Sequence, residues 1–233
     1  MTSYYSKIRK FISEIEEHPK CSVEYLDFVP IRQRNMNNAR LSELEKRLGE
    51  SFPIGIYEFY KEVESFEFKW RVIDEEVLKI DSHITCGAIS IRPAYSIFSK
   101  PLRPYYKQTP NFIPVDYFTS ECAVGYNLNE DKTFPSTLSV AFHNEIHPLY
   151  CTFMEYFEKL LNARGYVYWV YGLVDTRDQR KKGWYAPGYE ESQMCGKVLP
   201  LLFPDIDLEM LLPFEEKKLD KAFVAQLEEP LFR

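Results

Sequence analysis

Long hydrophobic runs are missing from this sequence. Its most apolar stretch, Val198 to Pro204, contains two prolines and falls far short of the ~20 apolar residues of a membrane span. The opening segment, Met1 to Glu17, is charged throughout and has no apolar centre, so it does not read as a secretory signal. Glycine is scarce, at 9 of 233 residues, and no G-x-S-x-G elbow, P-loop or G-x-G-x-x-G turn occurs. That removes the usual signatures of nucleophile elbows and phosphate cradles. The five cysteines, Cys21, Cys86, Cys122, Cys151 and Cys195, are odd in number and form no C-x-x-C pair. The expectation is unbridged thiols in a reducing compartment. Repeats, low-complexity segments and Gly/Ser linkers are also missing. These absences predict a cytoplasmic protein with no cofactor, no bound metal and no membrane partner.

What is present is acidic and aromatic. Asp and Glu total 35 against 29 Lys and Arg, for a net charge of −6. An acidic surface repels phosphate, which disfavours direct nucleic-acid binding. The 17 Tyr and 17 Phe predict aromatic-rich packing and interfaces. The chain is long enough to bury a core without covalent staples.

The apolar period divides the chain. Tyr5, Ile8, Ile12 and Ile15 recur at helical spacing within residues 2–18, and Pro19 ends the run. Ser22 to Pro30 reads as extended, and Arg32 to Asn38 as a polar loop. Leu41, Leu44 and Leu48 predict a second helix closed by Gly49. Ile56, Phe59, Tyr60 and Val63 form the stripe of a third. From Phe66 to Val72 the period becomes two, with Glu67, Lys69 and Arg71 alternating with apolar residues, as in a strand with one wet face. Further strands are expected at Gly87–Ile91, Glu121–Leu128, Thr137–Phe142 and Tyr166–Leu173. Pro93 to Pro114 reads as irregular. Thr152-Phe153-Met154-Glu155 is a capping box opening a helix that stops at Gly165. Val174 to Gln193 reads as a long polar loop, followed by clusters broken at Pro200 and Pro204 and a last helix over Glu215–Leu227. Helices, then clustered strands, then helices predict an α+β fold with an antiparallel meander.

This succession resembles the Smi1/Knr4 (SUKH) superfamily. The likeness is carried by Leu41-x-x-Leu44-Glu45-x-x-Leu48-Gly49-x-x-Phe52-Pro53-x-x-Ile56-x-x-Phe59-Tyr60, which is similar to the two helices that open the family's domain. The strand Phe66–Val72 and the strand-then-helix block Leu138–Gly165 with Tyr168-Trp169 follow in the family's order. The tail Phe203-Pro204-Asp205-Ile206-Asp207-Leu208 is similar to that of longer members. The family's Asn-Gly turn after the second helix is replaced here by Glu64-Ser65. The resemblance implies a mostly antiparallel curved sheet of about six strands flanked by N- and C-terminal helices. It places a helical extension at residues 1–39 and the family domain at 40–233. It also implies a non-enzymatic immunity protein that covers the active site of a cognate protein toxin. A regulatory interaction scaffold, as among fungal relatives, is the alternative.

Candidate contact residues follow from composition. The segment 175–193 runs from basic to aromatic to acidic, with Trp184, Tyr185, Tyr189, Glu190 and Glu191, and Trp and Tyr dominate binding hot spots. The acidic triplet Asp74, Glu75, Glu76 would steer a basic partner, such as a nuclease toxin. The wet strand face of Glu67, Lys69 and Arg71 is a third surface. His143-Asn144-Glu145-Ile146-His147 suggests a metal hydrolase at first sight. The zinc-protease motif, however, is H-E-x-x-H on a helix, whereas here the Glu is displaced and Pro148 follows, so a strand end and turn is expected. Cys151 lies near both histidines in sequence, but a helix start favours packing over nucleophilic attack.

Overall fold

A computed structural model describes residues 3–80, 85–98, 109–142, 145–167, 169–174 and 189–211; the side chains of 34, 54 and 189–194 are outside that description. Helix α1 spans Tyr4–Glu16, capped by the Ser3 side chain, which accepts from the Ser6 amide. Its buried stripe is Ile8, Phe11, Ile12 and Ile15. Tyr5, expected on that stripe, is exposed instead and stacks on Phe28 with ring centroids 5.6 Å apart. Strand β1 follows at Cys21–Pro30.

Helix α2 covers Arg34–Leu48 and so begins inside the stretch read as a polar loop. The reason is tertiary: the Asn37 side-chain amide donates to the Tyr60 carbonyl at 2.6 Å, which ties the first turn of α2 to the helix that follows it. Gly49 closes α2 in the left-handed region at φ 84°, as expected of a C-terminal glycine. Helix α3 (Ile54–Glu62) runs into strand β2 (Val63–Val72) through Val63, whose φ −131° and ψ 127° are already extended. Glu64 and Ser65, where the resemblance implied a turn, are therefore the second and third residues of a strand.

A short helix α4 (Glu75–Leu78) leads to β3 (Cys86–Ile91), and α5 (Ala94–Ile97) follows. Then come β4 (Phe112–Asp116), β5 (Cys122–Asn127), β6 (Ser139–Phe142), β7 (Glu145–Pro148) and α6 (Phe153–Asn162). The capping box on α6 is complete, with Thr152 and Glu155 each bonded to the other's amide. The last elements are a 3₁₀ turn at Trp169–Leu173, helix α7 at Tyr189–Leu202 and a 3₁₀ turn at Leu208–Leu211.

The seven strands form one open sheet in chain order, β1 to β7, and every neighbouring pair is antiparallel. The class is α+β, as expected. Two strands were not expected. β4 lies where prolines suggested irregular chain, and β7 occupies the segment read as a turn. One expected strand is missing, because Tyr166 makes a single bridge to Gly87 before the chain winds into its 3₁₀ turn. Helix α7 passes through Pro200 rather than breaking there. Cys195, Val198, Leu199 and Leu202 are buried, and that burial outweighs the hydrogen bond a proline removes.

The core lies on the sheet face carrying Phe66, Phe68 and Trp70, all fully buried. Phe11 of α1 meets Phe66 and Phe68 edge-on, and Phe59 of α3 packs on Phe153 and Phe157 of α6. Strand alternation puts Phe112, Ala123 and Ala141 on the opposite face, where they form a second, smaller buried cluster. The segment read as a last helix, 215–227, lies outside the described residues. Among the described residues no helix is long and apolar enough to cross a membrane.

Candidate functional site

The first two strands present a wet face, beside which β3 contributes the half-buried Cys86 and Ser90 and the buried Ala88. In β2, Lys69 and Arg71 are exposed and Glu67 is half-buried, between the buried Phe66, Phe68, Trp70 and Val72. The register sets Asp27 opposite Glu67, Tyr25 opposite Lys69 and Ser22 opposite Arg71. On the other side, Ser90, Ala88 and Cys86 of β3 face the same three residues of β2. Glu24 is the extra residue between Val23 and Tyr25 in the β1–β2 pairing. The bulge brings its carboxylate to 3.3 Å from Arg71 Nε. The result is a patch with both charge signs and an aromatic ring, Tyr25, at its margin.

Tyr25 and Leu26 were not singled out by composition. The available signal is local. In Val23-Glu24-Tyr25-Leu26-Asp27-Phe28 the alternation fails at Tyr25-Leu26, so two apolar neighbours must point to opposite faces of the strand. Both keep large exposure, 47% for Tyr25 and 39% for Leu26.

The other predicted contact residues fall on separate elements. Asp74 is the N-cap of α4, accepting from the amides of Glu76 at 3.1 Å and Val77 at 3.0 Å. Lys20 Nζ lies 3.7 Å from its carboxylate, and Glu76 is paired with Lys79 at 2.5 Å. The triplet therefore serves first to start a helix, with two of its three charges answered locally. Tyr189, Glu190 and Glu191 are the first residues of α7. Trp184 and Tyr185 lie outside the described residues.

The chemically reactive candidates are placed as follows. His147 sits on β7 opposite Val140, with Nε2 3.4 Å from the Glu145 carboxylate. Burial lowers its pKa, against the opposing pull of Glu145. His143 lies outside the described residues. Among the described residues no three His, Cys, Asp or Glu side chains gather as a metal site. The described residues include all five cysteines, and none is in a disulfide. Burial pushes the Cys151 thiol up to about 12, so it is protonated at neutral pH and a poor nucleophile.

A cleft of about 590 Å³ opens between α2 and α5. Leu41, Leu44 and Tyr60 line its apolar part, and Arg40 and Tyr95 stand among its polar and aromatic lining. The Tyr60 hydroxyl donates to the Arg92 carbonyl at 2.7 Å and burial raises its pKa well above the usual value. The cleft has the size of a ligand or side-chain pocket, and its buried phenol is committed to the backbone. Compared with known proteins, the chain matches no family model, no curated protein and no solved structure.

Proposed function

We propose that this protein is a non-enzymatic binding protein of the Smi1/Knr4 immunity type, which neutralises a cognate protein toxin by covering its active site. The observation that carries this reading is the wet face of β1 and β2. It is a two-stranded surface with Tyr25 at its edge and Glu24, Asp27, Glu67, Lys69 and Arg71 across it. Such a mix of an aromatic anchor and both charge signs suits a protein surface better than a small substrate. A standard interface of ~1,600 Å² in total would extend from this patch to other candidates, of which the acidic turn Asp74–Glu76 and the segment from Trp184 to Glu191 are the first to test. The site of action is proposed to be the cytoplasm, with a basic nuclease as the partner class favoured by the net charge.

The test is affinity capture of the tagged full chain from its native cells, followed by reconstitution. One partner bound one-to-one, with its activity abolished by equimolar protein, is the expected result. Tyr25→Asp combined with Lys69→Glu should restore that activity. A stoichiometric partner whose activity is unchanged would replace immunity with the scaffold reading.

A further inference from the structure

The two edges of the sheet are built differently. β7 is four residues long, starts at the exposed Glu145 and ends at Pro148. A short, charged, proline-ended strand is how proteins blunt an edge. β1 is ten residues long, and its proline comes at the last position. Among the described residues β1 pairs only with β2, and apart from the Cys21 amide, which donates to the His18 carbonyl at 3.2 Å, no backbone group bonds to its outer edge. Every second residue of such a strand directs its N–H and C=O outward.

The side chains along this edge suit an added strand. Tyr25 and Asp27 lie on the wet face, while Leu26 lies on the helix-packed face, opposite Phe68. The only charges on β1 are Glu24 and Asp27. Arg71 answers Glu24. Asp27 stands directly across from Glu67, and among the described residues no lysine or arginine forms an ion pair with either carboxylate. Like charges directly opposite in a ladder destabilise it, so a cation brought between them is favoured.

We propose that the outer edge of β1 is a strand-addition site for an extended segment of a partner protein, basic on one face and apolar on the other. This rests on the binding reading above and supplies its mode. The added backbone continues the ladder, its basic residues meet Asp27 and Glu67, and its apolar residues extend the cover over Leu26. A second copy of this chain fits less well. β1 has no lysine or arginine of its own, so a β1–β1 pair brings no cation to Asp27 and Glu67.

The probe is a blocked peptide, Thr-Lys-Val-Lys-Val-Lys-Thr, titrated into isotope-labelled full-length protein and followed by backbone amide resonances. A peptide with Glu in place of Lys is the counterpart. The expected result is shift changes and slowed amide exchange along Cys21–Pro30, with the Lys peptide preferred. Asp27→Lys should weaken the Lys peptide about tenfold and strengthen the Glu peptide. Asp27 is exposed and its replacement removes a like-charge pair, so this variant is expected to fold. No change in β1 at roughly millimolar peptide, or equal binding of both peptides, overturns the proposal. So does a concentration-dependent dimer that Leu26→Lys abolishes. Neutralisation is read separately, from the partner's activity, so strand addition can fail while that reading stands.

Discussion

The Tyr156 phenol donates a 2.7 Å hydrogen bond to the Asp116 carboxylate inside the fold. The Ser90 amide donates a second, also at 2.7 Å. These bonds sit at the thinnest seam of the sheet. β3 and β4 share one registered pair, Ile91 with Asp116, and one flanking bond, from the Tyr117 amide to the Ser90 carbonyl at 2.9 Å. Every other pair of neighbouring strands shares at least four registered pairs. A side-chain carboxylate thus takes the place of ladder bonds between β1–β3 and β4–β7.

That arrangement makes stability depend on pH. Burial pushes Asp116 up to about 6, against the two hydrogen bonds that favour its charged form. The ionisable groups around it, Tyr60 and Tyr156, are raised well above the usual tyrosine value and stay neutral. Because the folded value lies above the ordinary 3.8, the folded state holds this proton more tightly. The stabilisation is complete below about pH 4 and is lost as pH rises through about 6. Asp116→Asn does not titrate. Its stability relative to the natural protein should rise by about 3 kcal/mol between pH 4 and pH 7. Urea unfolding of both proteins across that range measures it, and parallel curves would refute the assignment.

Gly87 has a steric reason to be glycine. The Trp70 indole N–H donates to the Arg164 carbonyl at 2.7 Å. A Cβ on Gly87 would come within 2.0 Å of that indole nitrogen and 2.8 Å of that carbonyl oxygen. Gly87→Ala must therefore displace the ring or break its bond, at a cost of about 3 kcal/mol. Gly49→Ala meets nothing within 4 Å and suffers only from its φ of 84°, for a cost of about 1 kcal/mol. Denaturation midpoints that rank the two variants in the reverse order would show the Trp70 contact to be soft.

The capping box offers a smaller, cleaner test. Thr152→Ala removes the acceptor for the Glu155 amide and should cost about 1 kcal/mol, while Thr152→Ser keeps the oxygen and should cost a few tenths. Equal losses from both variants would mean that the threonine methyl, and not the cap, is what α6 needs.

The sequence was most legible where one local rule acted alone. The strict alternation from Phe66 to Val72, the stripe Ile56, Phe59, Tyr60, the Gly49 stop and the Thr152–Glu155 box all follow from patterns within one element, and each appears where the period or the spacing put it, whereas Val63, read as the end of that stripe, already begins β2. It was least legible where a distant partner decides. β4 exists because Phe112–Asp116 pairs with Cys122–Asn127 despite Pro114 within it. α2 starts early because Asn37 reaches Tyr60. α7 tolerates Pro200 because its neighbours are buried. For the candidate surface, the polar stripe on β2 was visible as alternation, but its extension through Tyr25 and Asp27 needs the β1–β2 register, which no single-strand pattern contains.

Arg164 separates a buried contribution from an exposed one. Its guanidinium lies 2.9 Å from Asp205 and 3.4 Å from Glu14, which suggests an ion-pair anchor for the segment after α7. The exposures argue otherwise: the Arg164 side chain is 10% exposed, but that of Asp205 is 72% exposed, so water and salt screen that pair to under about 1 kcal/mol. The unscreened contacts are the 3.0 Å bond from Nη1 to the Leu161 carbonyl and the packing of the guanidinium over Phe203, 5.1 Å from its ring centroid. Asp205→Asn should therefore change stability by less than about 1 kcal/mol, whereas Arg164→Ala, which loses the Leu161 bond and the packing on Phe203, should cost about 2 kcal/mol. Arg164→Lys should fall between, because an ammonium keeps the charge but loses the planar stack and the fork. Amide exchange adds a local readout. In Arg164→Ala the amides of Phe203 and Ile206, bonded at 2.7 Å to Leu199 and 3.1 Å to Phe203, should exchange faster before the sheet loosens. If Asp205→Asn proves as damaging as Arg164→Ala, the exposed ion pair and not the stack holds this segment to the core.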